Sequence, residues 1–286
     1  MKTNSMLPLA YWIHDLSPFV PGLHFSENFG VRWYGLAYVL GFVGAIWLLN
    51  RYTRAGRSQL THTQNGDLLI AIVLGVMIGG RLGSFVFYHP EDLLRNPLNF
   101  FKIWEGGMAS HGGFIGVTIA LWWFARKAKV SFLHVGDLVV SATPLGLMLG
   151  RVANFINGEL WGKIWYGRWA VIFPLSAPEG TPLAEIPPRH PSQLYAAALE
   201  GALLLAYLQW RLWKSDVVRA QPGRLAGEFL IGYAIVRMID EIFREPDASL
   251  LFGLSRGTFY SIFVLIAGIA LVACTQKKKT GPARRG

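Results

Sequence analysis

Cysteine is almost missing from this sequence. Cys274 is the only one, near the end of the last apolar block, so the chain can make neither an internal disulfide nor a cysteine-based metal site. No HExxH, His/Cys ligand cluster or close acidic pair suggests a metal. Nor is there a glycine-rich nucleotide loop, so neither a metal nor another cofactor is expected. Charge is scarce, with 15% charged residues against 52% hydrophobic ones. The start lacks the basic residues followed by a sustained apolar core of a cleavable signal peptide, carrying instead Pro8, His14, Asp15, Pro18, Pro21 and His24.

What the sequence does have is apolar blocks of about 20 residues, the length that crosses a bilayer as a helix. The expected fold is an all-α polytopic membrane protein, a single membrane domain over 1–286. Seven transmembrane helices are drawn at 34–50, 67–88, 108–125, 136–156, 192–210, 225–243 and 257–275. Residues 158–191, rich in proline, glycine and aromatics, are expected to form a small external head in which RWAVIFP reads as a short strand.

An odd number of spans puts the termini on opposite sides, and the basic residues choose which. Fifteen of the 27 Lys and Arg fall on the side that holds Arg51, Lys127, Lys214 and the tail KKKTGPARRG, and nine fall on the other. This predicts a cytoplasmic C-terminus and an external N-terminus. It also accounts for the net charge of +10, since the excess faces anionic inner-leaflet lipid. No basic stripe with interleaved aromatics stands apart from the loops, so nucleic acid is not an expected partner.

The remaining basic residues, Arg81, Arg151 and Arg237, lie inside spans, where charge is costly and calls for a reason. With the predicted topology these three share the outer leaflet with Tyr34 of VRWYGLAY and His111 of MASHGGFIG. Tyr233, Arg237, Glu241 and Arg244 recur at helical spacing, with Asp240 beside them; Arg237 with Glu241 and Asp240 with Arg244 are expected ion pairs. Arg151, Asn154 and Gly158 share another face. A guanidinium offers a planar fork of donors suited to phosphate. Each group has a plainer reading: snorkelling or helix-pairing arginines, an interfacial histidine, a belt tyrosine, and Gly112 with Gly116 as a close helix contact. Together they indicate a protein that binds or acts on an anionic lipid at the external face, by transfer or by transport.

Five segments in order carry a more specific likeness: VRWYGLAY, GGMASHGGFIG, GRVANFINGELWG, RHPSQLYAAALEG and GYAIVRMIDEIFREPDA. Over nearly the whole chain the sequence resembles the prolipoprotein diacylglyceryl transferases, a bacterial family of seven-span inner-membrane enzymes. One departure is Ala196, where an acidic residue is expected in many members. The resemblance implies transfer of an sn-1,2-diacylglyceryl group from phosphatidylglycerol to the lipobox cysteine of a prolipoprotein, with glycerol phosphate released. It implies membrane lipids as surroundings and an active site towards the periplasmic leaflet. By the same likeness Arg151 and Arg237 serve the phosphate and His111 is a candidate base or thiol orienter. Tyr34, Asn154 and Tyr233 position the headgroup. Gly158, Glu159 and Gly162 shape the signature turn, and Glu241 and Arg244 hold the sixth-span network. A transporter or binder of anionic lipid is the alternative. A serine protease built on Ser110 and His111 is disfavoured, because adjacent residues on a helix point about 100° apart.

Overall fold

Away from water a backbone must satisfy its own hydrogen bonds, so long apolar runs become helices. The structure, a computed structural model, describes residues 11–26, 29–88, 90–95, 97–102, 107–246 and 248–275. Pro8 and Lys2, the basic tail from Lys277, Gly106 of the second motif and Asp247 of the fifth lie outside the described residues. The elements are β1 (Trp12–Ile13), β2 (Phe19–Ser26), β3 (Phe29–Arg32), α1 (Trp33–Arg54), α2 (His62–Tyr88), α3 (Pro90–Arg95), α4 (Ser110–Ala128) and α5 (Phe132–Ile156). After them come β4 (Val171–Ile172), α6 (Ser192–Ala196), α7 (Leu204–Lys214), α8 (Val217–Ala220), α9 (Arg224–Phe243) and α10 (Arg256–Cys274). A π-helical segment, Ala197–Leu203, joins α6 to α7.

Among the described residues α1, α2, α5 and α10 are long and apolar enough to cross a membrane. Helical backbone also occupies the three other stretches expected to span, as α4, α6 through α7, and α9.

The chain divides into two compact units, one of residues 1–44, 141–211 and 227–274, the other of 45–140, 212–226 and 275–286. In the first unit β2 and β3 pair antiparallel, with Phe19 opposite Arg32, and β1 lies parallel to β4, with Trp12 opposite Val171. The segment between α5 and α6 is mostly irregular, and its strand is the Val171–Ile172 part of RWAVIFP. Main-chain bonds tie it down: His14 N–H donates to the Ile172 carbonyl at 2.9 Å, and Lys163 N–H to the Phe243 carbonyl at 2.8 Å. Burial and Lys163 hold the His190 imidazole pKa below its ordinary value, and the ring stacks on Trp165 at 4.3 Å. The helices of this unit meet through small residues: Gly41 faces Gly146, and Gly227 faces Gly268.

In the second unit α2 and α4 approach through Gly75, Gly79 and Gly83 on one side and Gly112 and Gly116 on the other. A methyl group at Gly79 would strike the Gly112 carbonyl, and one at Gly112 the Gly79 carbonyl. Arg81 is buried in this unit, and it donates to the main-chain carbonyls of Asn99, Phe100, Lys102 and Gly107. It therefore ties the chain after α3 to α2. Asp137, fully buried on α5, accepts the N–H groups of Gly223 and Ala226 at 2.7 Å each, capping the start of α9. His134 accepts from Gln59 N–H at Nε2 and so donates from Nδ1 to the Val218 carbonyl.

Candidate active site

The site begins where α5 ends. Gly158, with φ of 67°, is left-handed, Gly158 N–H donates to Phe155 and Glu159 N–H to Asn154. This is a Schellman ending, and glycine fits it because an L side chain would be strained at that φ. A side chain there would also meet the ring of His14. The turn carries Glu159 back towards the helix it has just left. Asn154, 3% exposed, donates to Glu159 Oε1 at 2.9 Å and to the Tyr34 hydroxyl oxygen at 3.0 Å. Tyr34 accepts there and keeps its own O–H to donate elsewhere. Glu159 also receives Asn157 at 3.4 Å, while its main-chain carbonyl accepts from Gln193 Nε2 at 2.7 Å. Glu159 thus does more than shape a turn, since its carboxylate holds the amides of Asn154 and Asn157.

One turn before Asn154 stands Arg151. Its Nε and Nη2 donate to Glu200 Oε2 at 3.1 and 3.0 Å. The other oxygen of the same carboxylate, Oε1, accepts from Arg237 Nη1 at 3.2 Å. Glu200 therefore joins an arginine of α5 to an arginine of α9. It stands in the π-helical segment, where the widened turn is a form found often at functional sites. Its neighbour Gly201 packs directly on Met148 of α5, and a methyl group at Gly201 would collide with that residue. That close approach places Glu200 beside Arg151. Sequence reasoning missed Glu200, although a carboxylate inside an apolar run such as AAALEGALLL is itself a signal.

Arg237 holds two further carboxylates. Its Nη1 donates to Asp240 Oδ2 at 3.3 Å, and its Nη2 pairs with Glu241 Oε1, as the spacing along α9 predicted for Glu241. Glu241 is seated against Gly257, where a side chain would strike the carboxylate. Asp240, expected to pair with Arg244, turns one oxygen to Arg237. Arg244 is buried and pairs its main chain with Gly162, whose own N–H donates to the His190 carbonyl at 2.9 Å. A methyl group at Gly162 would strike the carbonyls of His190 and Phe243, so this glycine serves close main-chain packing. Tyr233 lies one turn before Arg237 on α9, its ring against Phe229 at 5.8 Å.

The exposure within the cluster is uneven. Glu200 is wholly buried, whereas the side chains of Arg151 and Arg237 are 17% and 13% exposed. A ligand arriving at this cluster meets guanidinium first. Each arginine has five N–H donors, and the carboxylates engage only part of each fork. The three acids orient the two planes, and the remaining donors can receive an external anion. His111 belongs to the other unit, exposed in the first turn of α4. No group of three or more His, Cys, Asp or Glu among the described residues could hold a metal.

Long apolar helices, with two largely buried arginines braced by acids among them, describe a helical membrane protein. The chain belongs to the prolipoprotein diacylglyceryl transferase family, which matches residues 22–274. A protein of Pseudoalteromonas atlantica is 45% identical over 249 residues, covering 85% of this chain and 84% of its own length. Similar relatives come from Vibrio cholerae, 45% identical over 251 residues with 87% and 88% covered, and Zymomonas mobilis, 43% over 252 residues with 87% and 85% covered. All three are named phosphatidylglycerol–prolipoprotein diacylglyceryl transferase.

Proposed function

We propose that this chain transfers the sn-1,2-diacylglyceryl group of phosphatidylglycerol to the lipobox cysteine of a prolipoprotein signal peptide. The observation that carries this reading is the pair of largely buried, partly accessible guanidiniums on one buried carboxylate, within a chain of this family. The protein spans the bacterial inner membrane seven times, with the C-terminus cytoplasmic, residues 158–191 as a periplasmic head and the reaction at the periplasmic leaflet. All 286 residues form one functional membrane domain.

In the reaction the substrate's sulfur bonds to the glyceryl carbon that carries the phosphate. The carbon–oxygen bond breaks, and its electron pair leaves with the phosphate oxygen as glycerol phosphate. The thiol proton is lost, with His111 as the candidate acceptor on the strength of its motif. A free thiol has a pKa near 8.5, so near neutral pH it needs a base or a cationic neighbour. Charge grows on the departing phosphate. Donors on Arg151 and Arg237 that strengthen as it grows lower the barrier, by about 3 to 4 kcal/mol per donor on the scale of oxyanion sites. Because Glu200, Asp240 and Glu241 already fix the forks, little reorganisation accompanies the reaction. Tyr34 and Asn154 position the headgroup from α1 and α5, Tyr233 does so from α9, and Gly158, Glu159, Gly162, Glu241 and Arg244 hold the surrounding frame.

The test is to incubate the purified chain with phosphatidylglycerol and a lipobox peptide and weigh the peptide. A diacylglyceryl mass increase on cysteine is expected, and its loss in a folded Arg237→Ala variant. A peptide of unchanged mass with the unaltered chain overturns the reading in favour of lipid binding or transport, and a shortened peptide points to proteolysis.

A further inference from the structure

Three carboxylates face the two arginines, and they are not equally satisfied. Both oxygens of Glu200 accept from guanidinium, and Glu241 pairs with Arg237. Asp240 differs. It is 1% exposed, its Oδ2 takes a long bond of 3.3 Å from an Arg237 nitrogen already shared with Glu200, and its buried Oδ1 meets no donor among the described residues. A buried carboxylate oxygen without a donor is unfavourable, and such atoms in folded proteins call for a partner.

The position of Asp240 narrows what that partner is. Its other oxygen touches the guanidinium assigned above to the lipid phosphate, so a donor reaching Oδ1 belongs within a few bonds of that phosphate. A glycerol headgroup supplies this: its hydroxyls follow the phosphate ester oxygen along a three-carbon chain and are neutral donors. Resting on the proposed reaction, we infer that Asp240 accepts a hydrogen bond from a hydroxyl of the phosphatidylglycerol headgroup and thereby makes the site selective for a polyol phosphate ester. A site built to bond a substrate hydroxyl discriminates against an analogue lacking it, because the polar group of the site is then left unpaired.

The experiment compares two donors with identical acyl chains, phosphatidylglycerol and phosphatidylpropanol, whose three-carbon headgroup lacks the hydroxyls. With the full-length protein and a lipobox peptide, kcat/KM is expected to favour phosphatidylglycerol by about 10- to 100-fold, as for a hydrogen bond to a charged group. Asp240→Ala should bring the two donors to parity, chiefly by lowering the phosphatidylglycerol value. Asp240→Asn keeps an acceptor oxygen without the charge and should give an intermediate ratio. Parity in the unaltered protein, or an unchanged ratio in Asp240→Ala, overturns the assignment. If the alanine variant fails to fold, an unchanged ratio in Asp240→Asn does so. Should the unaltered protein modify the peptide from neither lipid, the proposed function falls, and this inference with it.

Discussion

At the scale of the residue, Glu200 is where two helices' worth of positive charge is held. Removing one partner of a buried ion pair is strongly destabilising, about 3–5 kcal/mol, since the other charge is left uncompensated. Glu200→Gln should therefore lower the thermal midpoint and, under conditions where the variant remains folded, reduce diacylglyceryl transfer at least about tenfold. Unchanged stability and turnover would show that the arginines hold their places without it. The polar residues of this site were partly legible beforehand. Arg151, Asn154 and Arg237 stand out because polarity within an apolar run is costly, and Glu241 follows from helical spacing. Glu200 was less visible, because its partners lie 49 and 37 residues away. Arg81 shared the predicted outer leaflet without a role of its own; it binds main-chain carbonyls of residues that follow α2, and no side-chain pattern marks those.

Among the elements, α2 and α4 depend on the absence of side chains at their contact. Gly112→Leu should be destabilising by about 1–3 kcal/mol or more, because the new side chain meets the main chain of Gly79 and Gly83 and the backbone must move. Gly113→Ala, one residue on, has only the Val76 carbonyl at 4.0 Å before its new methyl group and should be tolerated. Thermal unfolding of the two variants in detergent checks the contrast, and equal midpoints would refute it. The small-residue spacing of Gly112 and Gly116 was visible in HGGFIG, and the structure identifies α2 as what it packs against. The π-helical segment was not visible in this way. A shift of hydrogen bonding by one residue leaves no mark in hydropathy, and AAALEGA reads as an ordinary helix.

For the whole molecule, the unequal distribution of basic residues predicts the sidedness, and the lone cysteine offers a way to measure it. Cys274 is exposed and lies at the end of α10. With the C-terminus cytoplasmic, a membrane-impermeant maleimide should label Cys274 in inverted inner-membrane vesicles and not in right-side-out spheroplasts. The opposite pattern would invert the topology. The helical character was legible from length and apolarity. The ties of the 157–191 stretch to β1 and to the end of α9 were not, because main-chain bonds depend little on which side chains carry them.

The carboxylate shared by Arg151 and Arg237 also bears on the order in which the molecule comes into being. Arg151 is synthesised 49 residues before Glu200, and Glu200 37 residues before Arg237. A growing chain therefore presents α5 to the bilayer while its arginine lacks this counter-ion, at a cost below the roughly 2.5–3.5 kcal/mol of a charge at the helix centre, since Arg151 stands near the end of α5. The arrival of the π-helical segment relieves that cost and leaves an acid ready for the second arginine. The cluster proposed to receive the lipid phosphate is thus also a seam closed late in synthesis, holding α5 in place only after the next two helices have been made.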